Sequence, residues 1–576
     1  MANNKKVTGS SVIKRTNWDK KEKFQLIKDF YDKKVASENE LEIHEIISSL
    51  NNELYNAEFK ITEVGLFGVR GIEELTVKLE DDLTVIIGIN GSGKSTILDS
   101  VSLILSWIKE NIIRDNANGS HLKESDINNS DSVDYASISG SFSLNNERFD
   151  VLLSKSKAGK SLSRRSILTE IKALGGIFRH VNSNFQEMNL PLVAHYSVAR
   201  SNEGTSDDFA KVKSQATLTG RWSKFDAYED VLSNRHDFNE FIVWLSRIDS
   251  IARQGNSVNN DINRINTEIE STKNLINMFK KMGNNESFII PLEEIVKKKN
   301  EEIAEIYNNN SGSSDILAAK VLKNIKYAIE IFLPEITNVE LVYEQEEIKL
   351  ILHKDGKEIS AKQLSQGEKS LLSLIGDLTR RLVLLNPSRE NPLDGNGIVL
   401  IDEIDLHLHP SWQQTVILNL QKTFPNLQLI VTTHSPQVLS TTYVRSIRSL
   451  KQTPDILNEI PELNIKNNVI TSETPLFQTR GVMSTDILSK IMNIDPIPLV
   501  EEATWVHTYY KLIENEEENE SFGLDLWAKI VEHFGPKHPV TIGCQNAIRL
   551  KNMKGKIKEF RNNKGKNTNK SDIPGE

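Results

Sequence analysis

Apolar positions along the chain change their spacing several times, and each change marks an element boundary. Phe24, Ile27, Phe30 and Tyr31, then Ile43, Ile46, Ile47 and Leu50, recur at intervals of three and four, which gathers them on one face of a helix. This predicts a helical N-terminal extension over residues 1–55. From Phe59 the spacing shortens to two, or apolar residues run together, through FKITEVGLFGVRGIEELTVKLEDDLTVIIGI, the signature of strands. The last strand leads into Gly88-Ile89-Asn90-Gly91-Ser92-Gly93-Lys94-Ser95-Thr96, and an apolar helix follows. Residues 134–154 read as an antiparallel hairpin turning at Asn145-Asn146, and LPLVAHYSVAR (190–200) reads as a buried strand.

Between 251 and 310 the chain turns polar and Asn-rich, with Ile262, Ile265, Ile269, Ile276 and Phe279 at spacings of three and four around a polar gap at Thr272. Leu292, Ile295, Ile303 and Ile306 form a return face, so a short antiparallel helical hairpin is expected, about 30 Å long at ~1.5 Å per residue. A helix over 316–332 and a hairpin with Asp355-Gly356 in its turn come next. The expected organisation is a helical extension (1–55), a first α/β lobe (56–250), the helical hairpin (251–310), a second α/β lobe (311–445) and a mainly α C-terminal partner-interaction region (446–576). That last region holds an acidic run, Glu514 to Glu520, and a basic tail. The fold class expected is therefore α/β with mixed sheets and a helical insertion.

Composition narrows the setting. Of 576 residues, 38% are hydrophobic and 26% charged, enough to bury several cores. The longest apolar runs, such as Ile398 to Ile401 and Leu427 to Val431, fall far short of the roughly 20 residues of a membrane-spanning helix. The opening MANNKKVTGS lacks the apolar core of a secretion signal, so a cytoplasmic protein is expected. A single cysteine, Cys544, excludes an internal disulfide and a cysteine-built zinc site. The net charge of -9 argues against a protein that coats nucleic acid with its whole surface.

Three patterns carry chemistry. Gly88-x-x-x-x-Gly93-Lys94-Ser95, between strand and helix, fits a phosphate-binding loop: backbone N–H groups point inward, Lys94 reaches the β and γ phosphates, and Ser95 ligates Mg²⁺. The candidate ATP contacts are Gly88, Asn90, Gly91, Ser92, Gly93, Lys94, Ser95 and Thr96. Gly397 to Glu403 is a continuously apolar strand ending in two carboxylates. Asp402 would hold Mg²⁺ through water, and Glu403 would orient and deprotonate the attacking water. Leu364-Ser365-Gln366-Gly367-Glu368 begins 38 positions before Asp402 and opens a further helix. Alone, each pattern has an ordinary structural reading: a solvated acidic turn for Asp402-Glu403, a capping box for Ser365 and Glu368, a core residue for His434. Ala158-Gly159-Lys160-Ser161 lacks the leading glycine and the strand, and is not a second phosphate loop.

Together these segments resemble a known family. LSQGE is similar to the signature motif of ABC ATPases, IDEIDLHLHP resembles the Walker B and D-loop of their SMC/RecF-like branch, with Asp405 in the D-loop, and His434 in LIVTTHSP matches that branch's switch histidine. The resemblance implies ATP and Mg²⁺ as cofactors, with Glu403 and His434 catalytic. Ser365, Gln366, Gly367 and Glu368 would meet the γ-phosphate held by an opposite subunit, which implies a homodimer or higher homo-oligomer formed through the ATP sites. The 271 positions between Lys94 and Ser365, holding the helical hairpin, match the split layout of the branch. The family's Q-loop glutamine has no clear match; Gln215 is poorly placed, and Arg200 or Tyr196 are the alternatives.

The C-terminal region separates relatives. Glu501 and Glu502 resemble the first element of a Toprim nuclease domain, yet no Asp-x-Asp pair follows an apolar strand, Asp525 is single, and no HNH or His-Glu-x-x-His pattern exists. The chain resembles most the PtuA-type ATPases of Septu anti-phage systems, including the form found beside retron reverse transcriptases. That resemblance implies a partner HNH nuclease of the PtuB type, with a reverse transcriptase and multicopy single-stranded DNA completing the retron form. The alternatives are a RecF-like DNA-repair ATPase that clamps DNA on ATP-driven dimerisation and a scaffold that holds ATP without turnover. Lysines 551 to 570 would serve as a solubilising tail or neutralise nucleic-acid phosphates.

Overall fold

A computed structural model describes residues 40–55, 57–130, 133–145, 147–161, 164–185, 187–198, 223–232, 238–254, 256–281, 286–309, 314–343, 348–354, 356–454 and 468–567. The expected helical positions Phe24, Ile27, Phe30 and Tyr31, and the Q-loop alternatives Arg200 and Gln215, lie outside these residues. The described chain forms two compact units, Met1–Ile487 and Leu488–Glu576.

The first unit opens with α1 (Glu40–Tyr55), β1 (Phe59–Val69), β2 (Ile72–Lys78), β3 (Leu83–Ile87) and α2 (Lys94–Ile113). The expected hairpin follows as β4 (Tyr135–Leu144) and β5 (Glu147–Ser156), with Asn145 left-handed at φ 53° in the turn. Then come α3 (Thr169–Asn184), β6 (Leu192–Tyr196) and α4 (Phe238–Gln254). The helical hairpin is α5 (Asn256–Lys281) and α6 (Glu286–Asn309). At 26 and 24 residues, its arms reach about 36–39 Å, longer than the apolar spacing alone indicated. Ile265, Ile269 and Ile276 are buried on α5 and Ile289 on α6, while Ile295 is exposed; a Lys299–Glu268 ion pair links the arms.

After α7 (Ser314–Phe332), the strands β7 (Ile336–Tyr343), β8 (Ile348–Lys354) and β9 (Lys357–Ser360) make a three-stranded antiparallel sheet. The rest of the unit is α8 (Gln366–Leu385), β10 (Gly397–Ile401), α9 (Pro410–Gln413), α10 (Val416–Thr423), β11 (Leu427–Thr432), α11 (Pro436–Ser440), β12 (Ile447–Pro454) and β13 (Asn468–Glu473).

Two larger sheets frame the site. One is antiparallel, ordered β2-β1-β4-β5; the other is mixed, ordered β13-β12-β3-β11-β10-β6, with only the β12–β13 pair antiparallel. β3, β10 and β11 are buried along their whole length, as expected of strands covered on both faces. α2 packs between the sheets, against β1 and β4 on one side and β6, β10 and β11 on the other. Its apolar residues surround the axis, and Ile97, Leu98, Val101, Ile104, Leu105, Ile108 and Ile112 are fully buried. Gln428 on β11 joins the sheets where β1 bulges: its Oε1 accepts the Ile61 N–H at 2.9 Å and its Nε2 donates to the Ile61 and Glu80 carbonyls at 2.7 and 2.8 Å.

The boundary expected after residue 445 does not coincide with the edge of this unit. β12 lies parallel to β3 through Ile447↔Val85 and carries β13 as the sheet's outer strand, so the sheet runs on through Glu473. α12 (Ser484–Lys490) spans the junction. The second unit is α13 (Glu501–Asn515), α14 (Ser521–Phe534) and α15 (Pro539–Asn567), packed around Tyr509, Ile513, Leu526, Ile530 and Cys544. Within it, Glu518 of the acidic run is buried and pairs with Lys551 at 3.1 Å.

Candidate functional site

The parallel sheet brings its chemistry to the carboxyl ends of neighbouring strands. β3 leads into the glycine loop, β10 into Asp402-Glu403 and β11 into Thr433-His434, and the three strands are adjacent. Gly93 sits at φ 93°, a left-handed conformation open to glycine, and a Cβ there would come within 2.8 Å of Ile72 Cδ1. α2 starts directly after it, so its first N–H groups face the loop. Lys94 is buried, and its Nζ donates to the Gly88 and Ile89 carbonyls at 3.0 and 3.1 Å. Burial pushes its ammonium below the usual lysine range, against the opposing pull of Asp402, Glu403 and Asp405.

Thr432, the last residue of β11, organises those carboxylates. Its hydroxyl donates to Asp402 Oδ1 at 2.5 Å and accepts the Glu403 N–H at 2.7 Å, while its carbonyl accepts the Ile404 N–H at 3.0 Å. Glu403 is held at φ 47°, a region costly for a residue with a side chain, and these bonds are what fix it there. Thr433 Oγ1 likewise donates to Asp405 Oδ1 at 2.5 Å. Reading LIVTTHSP for its histidine alone missed both threonines; their signal was a hydroxyl pair directly preceding it. His434 is half-buried between them and Ser435, which caps α11.

The turn over residues 364–368 adopts the capping box that is its ordinary structural reading. Ser365 is the N-cap of α8: its Oγ accepts the Glu368 N–H at 3.3 Å and Glu368 Oε2 accepts the Ser365 N–H at 2.8 Å, completing a capping box, while the Ser365 hydroxyl also donates to Oε2 at 2.7 Å. Lys354 of β8 pairs with Glu368 at 2.7 Å and with Glu335 at 3.2 Å. Gly367 lies against the chain after Asp405, where a Cβ would meet the His407 carbonyl oxygen at 2.4 Å. Gln366 begins α8. Ser95 is exposed on the first turn of α2 and Thr96 follows it. The hydroxyl of Ser95 and the carboxylate of Asp402 are hard oxygen donors, the kind that Mg²⁺ takes alongside phosphate oxygens.

In the second unit, Glu501 and Glu502 lie in the first turn of α13, and Asp525 lies within α14 with Lys529 at 3.4 Å. None of the three stands after a strand, as a Toprim site requires.

A glycine loop between β3 and α2, with carboxylates ending a strand of the same parallel sheet, defines a P-loop ATPase. Residues 83–440 match the family model described as "AAA domain, putative AbiEii toxin, Type IV TA system", and the chain belongs to this family of ATPases. It is 32% identical to the Retron Ec83 probable ATPase of Escherichia coli over 91% of this chain and 93% of that protein. The Retron Vc95 probable ATPase of Vibrio cholerae is 34% identical over 74% of this chain and 80% of that protein. The Septu protein PtuA of Bacillus thuringiensis is 28% identical over 33% of this chain and 46% of that protein. The chain is thus an ATPase of the same family as these retron ATPases. Among the described residues no helix is long and apolar enough to cross a membrane.

Proposed function

We propose that this chain hydrolyses ATP at sites completed by a second copy and that its nucleotide state controls a partner HNH nuclease. The convergence of the glycine loop after β3 and the Asp402-Glu403 pair after β10 at the carboxyl ends of one parallel sheet carries this reading. On binding, Lys94 exchanges the Gly88 and Ile89 carbonyls for β- and γ-phosphate oxygens, and the loop N–H groups around Asn90, Gly91 and Ser92 cradle the phosphates. Ser95 and Asp402 would hold Mg²⁺, which neutralises charge on those phosphates. Glu403 takes a proton from the attacking water as its oxygen bonds the γ-phosphorus and the bond to the β–γ bridging oxygen breaks, leaving ADP and phosphate. His434, at the end of the adjacent strand, senses the γ-phosphate. Ser365 and Gly367 clamp the γ-phosphate held by the other copy, with Asp405 at the junction.

Similarity to retron ATPases and to PtuA supports a defence complex with its nuclease in another chain, and a reverse transcriptase with multicopy single-stranded DNA as further members. The Glu403→Gln variant tests this. Phosphate release should fall about 100-fold or more while ATP binding persists, because a general base supplies roughly that factor. Mixed with the proposed partner HNH nuclease and ATP, this variant should shift DNA cleavage away from the wild-type level. Wild-type hydrolysis by Glu403→Gln would overturn the site assignment, and unchanged cleavage would overturn nuclease control.

A further inference from the structure

Tyr196 ends β6, the edge strand beside β10, and is 1% exposed. Its two polar groups serve two different elements. The carbonyl accepts the N–H of Asp402 at 2.8 Å, one step beyond the Ile401↔Tyr196 pair that closes the parallel ladder. The phenol donates to Asp377 Oδ2 at 2.8 Å, in the middle of α8. That same oxygen accepts Arg381 Nε at 2.7 Å, and Arg381 Nη1 donates to the Ala227 and Glu229 carbonyls at 2.6 and 2.9 Å. Burial, reinforced by Asp377, holds the phenol well above the ordinary tyrosine range, so it stays a donor at any working pH.

α8 is therefore held at two points: at its start, where Gly367 lies on His407, and about 15 Å further along at Asp377. A buried hydrogen-bonded network of this kind fixes one arrangement, since each lost partner leaves a desolvated polar group. We propose that Tyr196 is a positioning residue that ties the Asp402–Glu403 end of β10 to the signature helix, so that one geometry of carboxylates and signature is kept through turnover. This rests on the site assignment given under Proposed function. It needs no contact between Tyr196 and nucleotide.

Tyr196→Phe removes the hydroxyl and keeps the ring. The expected result is a kcat lowered about tenfold with affinity for a fluorescent ATP analogue in EDTA kept within about twofold, because small misplacements of reacting groups cost rate before binding. Asp377→Leu removes the acceptor of the phenol and of Arg381. In a double-variant cycle the two changes should be non-additive, with Tyr196→Phe/Asp377→Leu about as slow as the slower single variant. A wild-type kcat in Tyr196→Phe overturns the proposal, as do additive effects or a parallel fall of kcat, affinity and melting temperature. Glu403→Gln is measured alongside: if it hydrolyses normally the site assignment has failed, and if it is inactive while Tyr196→Phe is normal, only the positioning role has failed.

Discussion

At the scale of single residues, the carboxylates are less independent than their order in the sequence suggests. Thr432 holds Asp402 through its hydroxyl proton and Glu403 through its lone pair, and the left-handed backbone at Glu403 depends on that grip. Thr432→Val keeps the shape and removes both bonds. Denaturant titration should show a loss of about 1–3 kcal/mol from the polar groups deprived of this partner. Steady-state phosphate release should fall at least about tenfold, because the base is then misplaced. An unaltered rate would mean that Glu403 keeps its position without Thr432. The glycine loop, the Asp402-Glu403 pair and the Ser365 turn were legible because each is contiguous and flanked by a clear element. Thr432, and the tie of Tyr196 to α8, were not, because the partners at Asp402 and Asp377 lie 30 and 181 positions away.

At the scale of elements, the strands and helices around the motifs followed from apolar spacing, and the sheet's outer edge did not. β12 is rich in polar residues, Arg448 and Ser449 among them although both are buried, and it pairs with β3 across more than 300 positions of chain, so neither periodicity nor proximity pointed to it. Side chains that fasten elements end to end are equally hidden. Lys224 reaches Asn182 of α3 at 2.9 Å and the Met188 carbonyl at 2.5 Å, joining the helix to the approach of β6. Burial pushes this ammonium down to about 8. The unfolded lysine titrates near 10.4, so between these values the unfolded chain binds more protons and stability rises with pH. The gain across the whole window is at most about 3 kcal/mol. Urea unfolding at about pH 7.5 and 9.5 should show the rise in wild type and its absence in Lys224→Met; parallel changes in both proteins would place the titration elsewhere.

At the scale of the whole molecule, the layout of the chain explains why its parts are so far apart in sequence. The helical hairpin and the β7–β9 sheet are inserted between the glycine loop and the signature helix, and Lys354 at the end of β8 touches both Glu335 and Glu368, so the insertion meets the Ser365 cap directly. The second unit has its own apolar core and presents Leu550, Met553 and Ile557 on the exposed face of α15. In the proposed mechanism ATP turnover belongs to two copies rather than one. Complementation tests it most directly: Lys94→Met, which lacks a working phosphate loop, is mixed in equal amounts with Ser365→Arg, which lacks a working signature. Each alone should be inactive, and the mixture should recover up to about a quarter of the wild-type rate, since half the random dimers carry one intact composite site. A mixture whose rate is only the mean of the two separate variants, with Ser365→Arg as fast as wild type, would contradict the account.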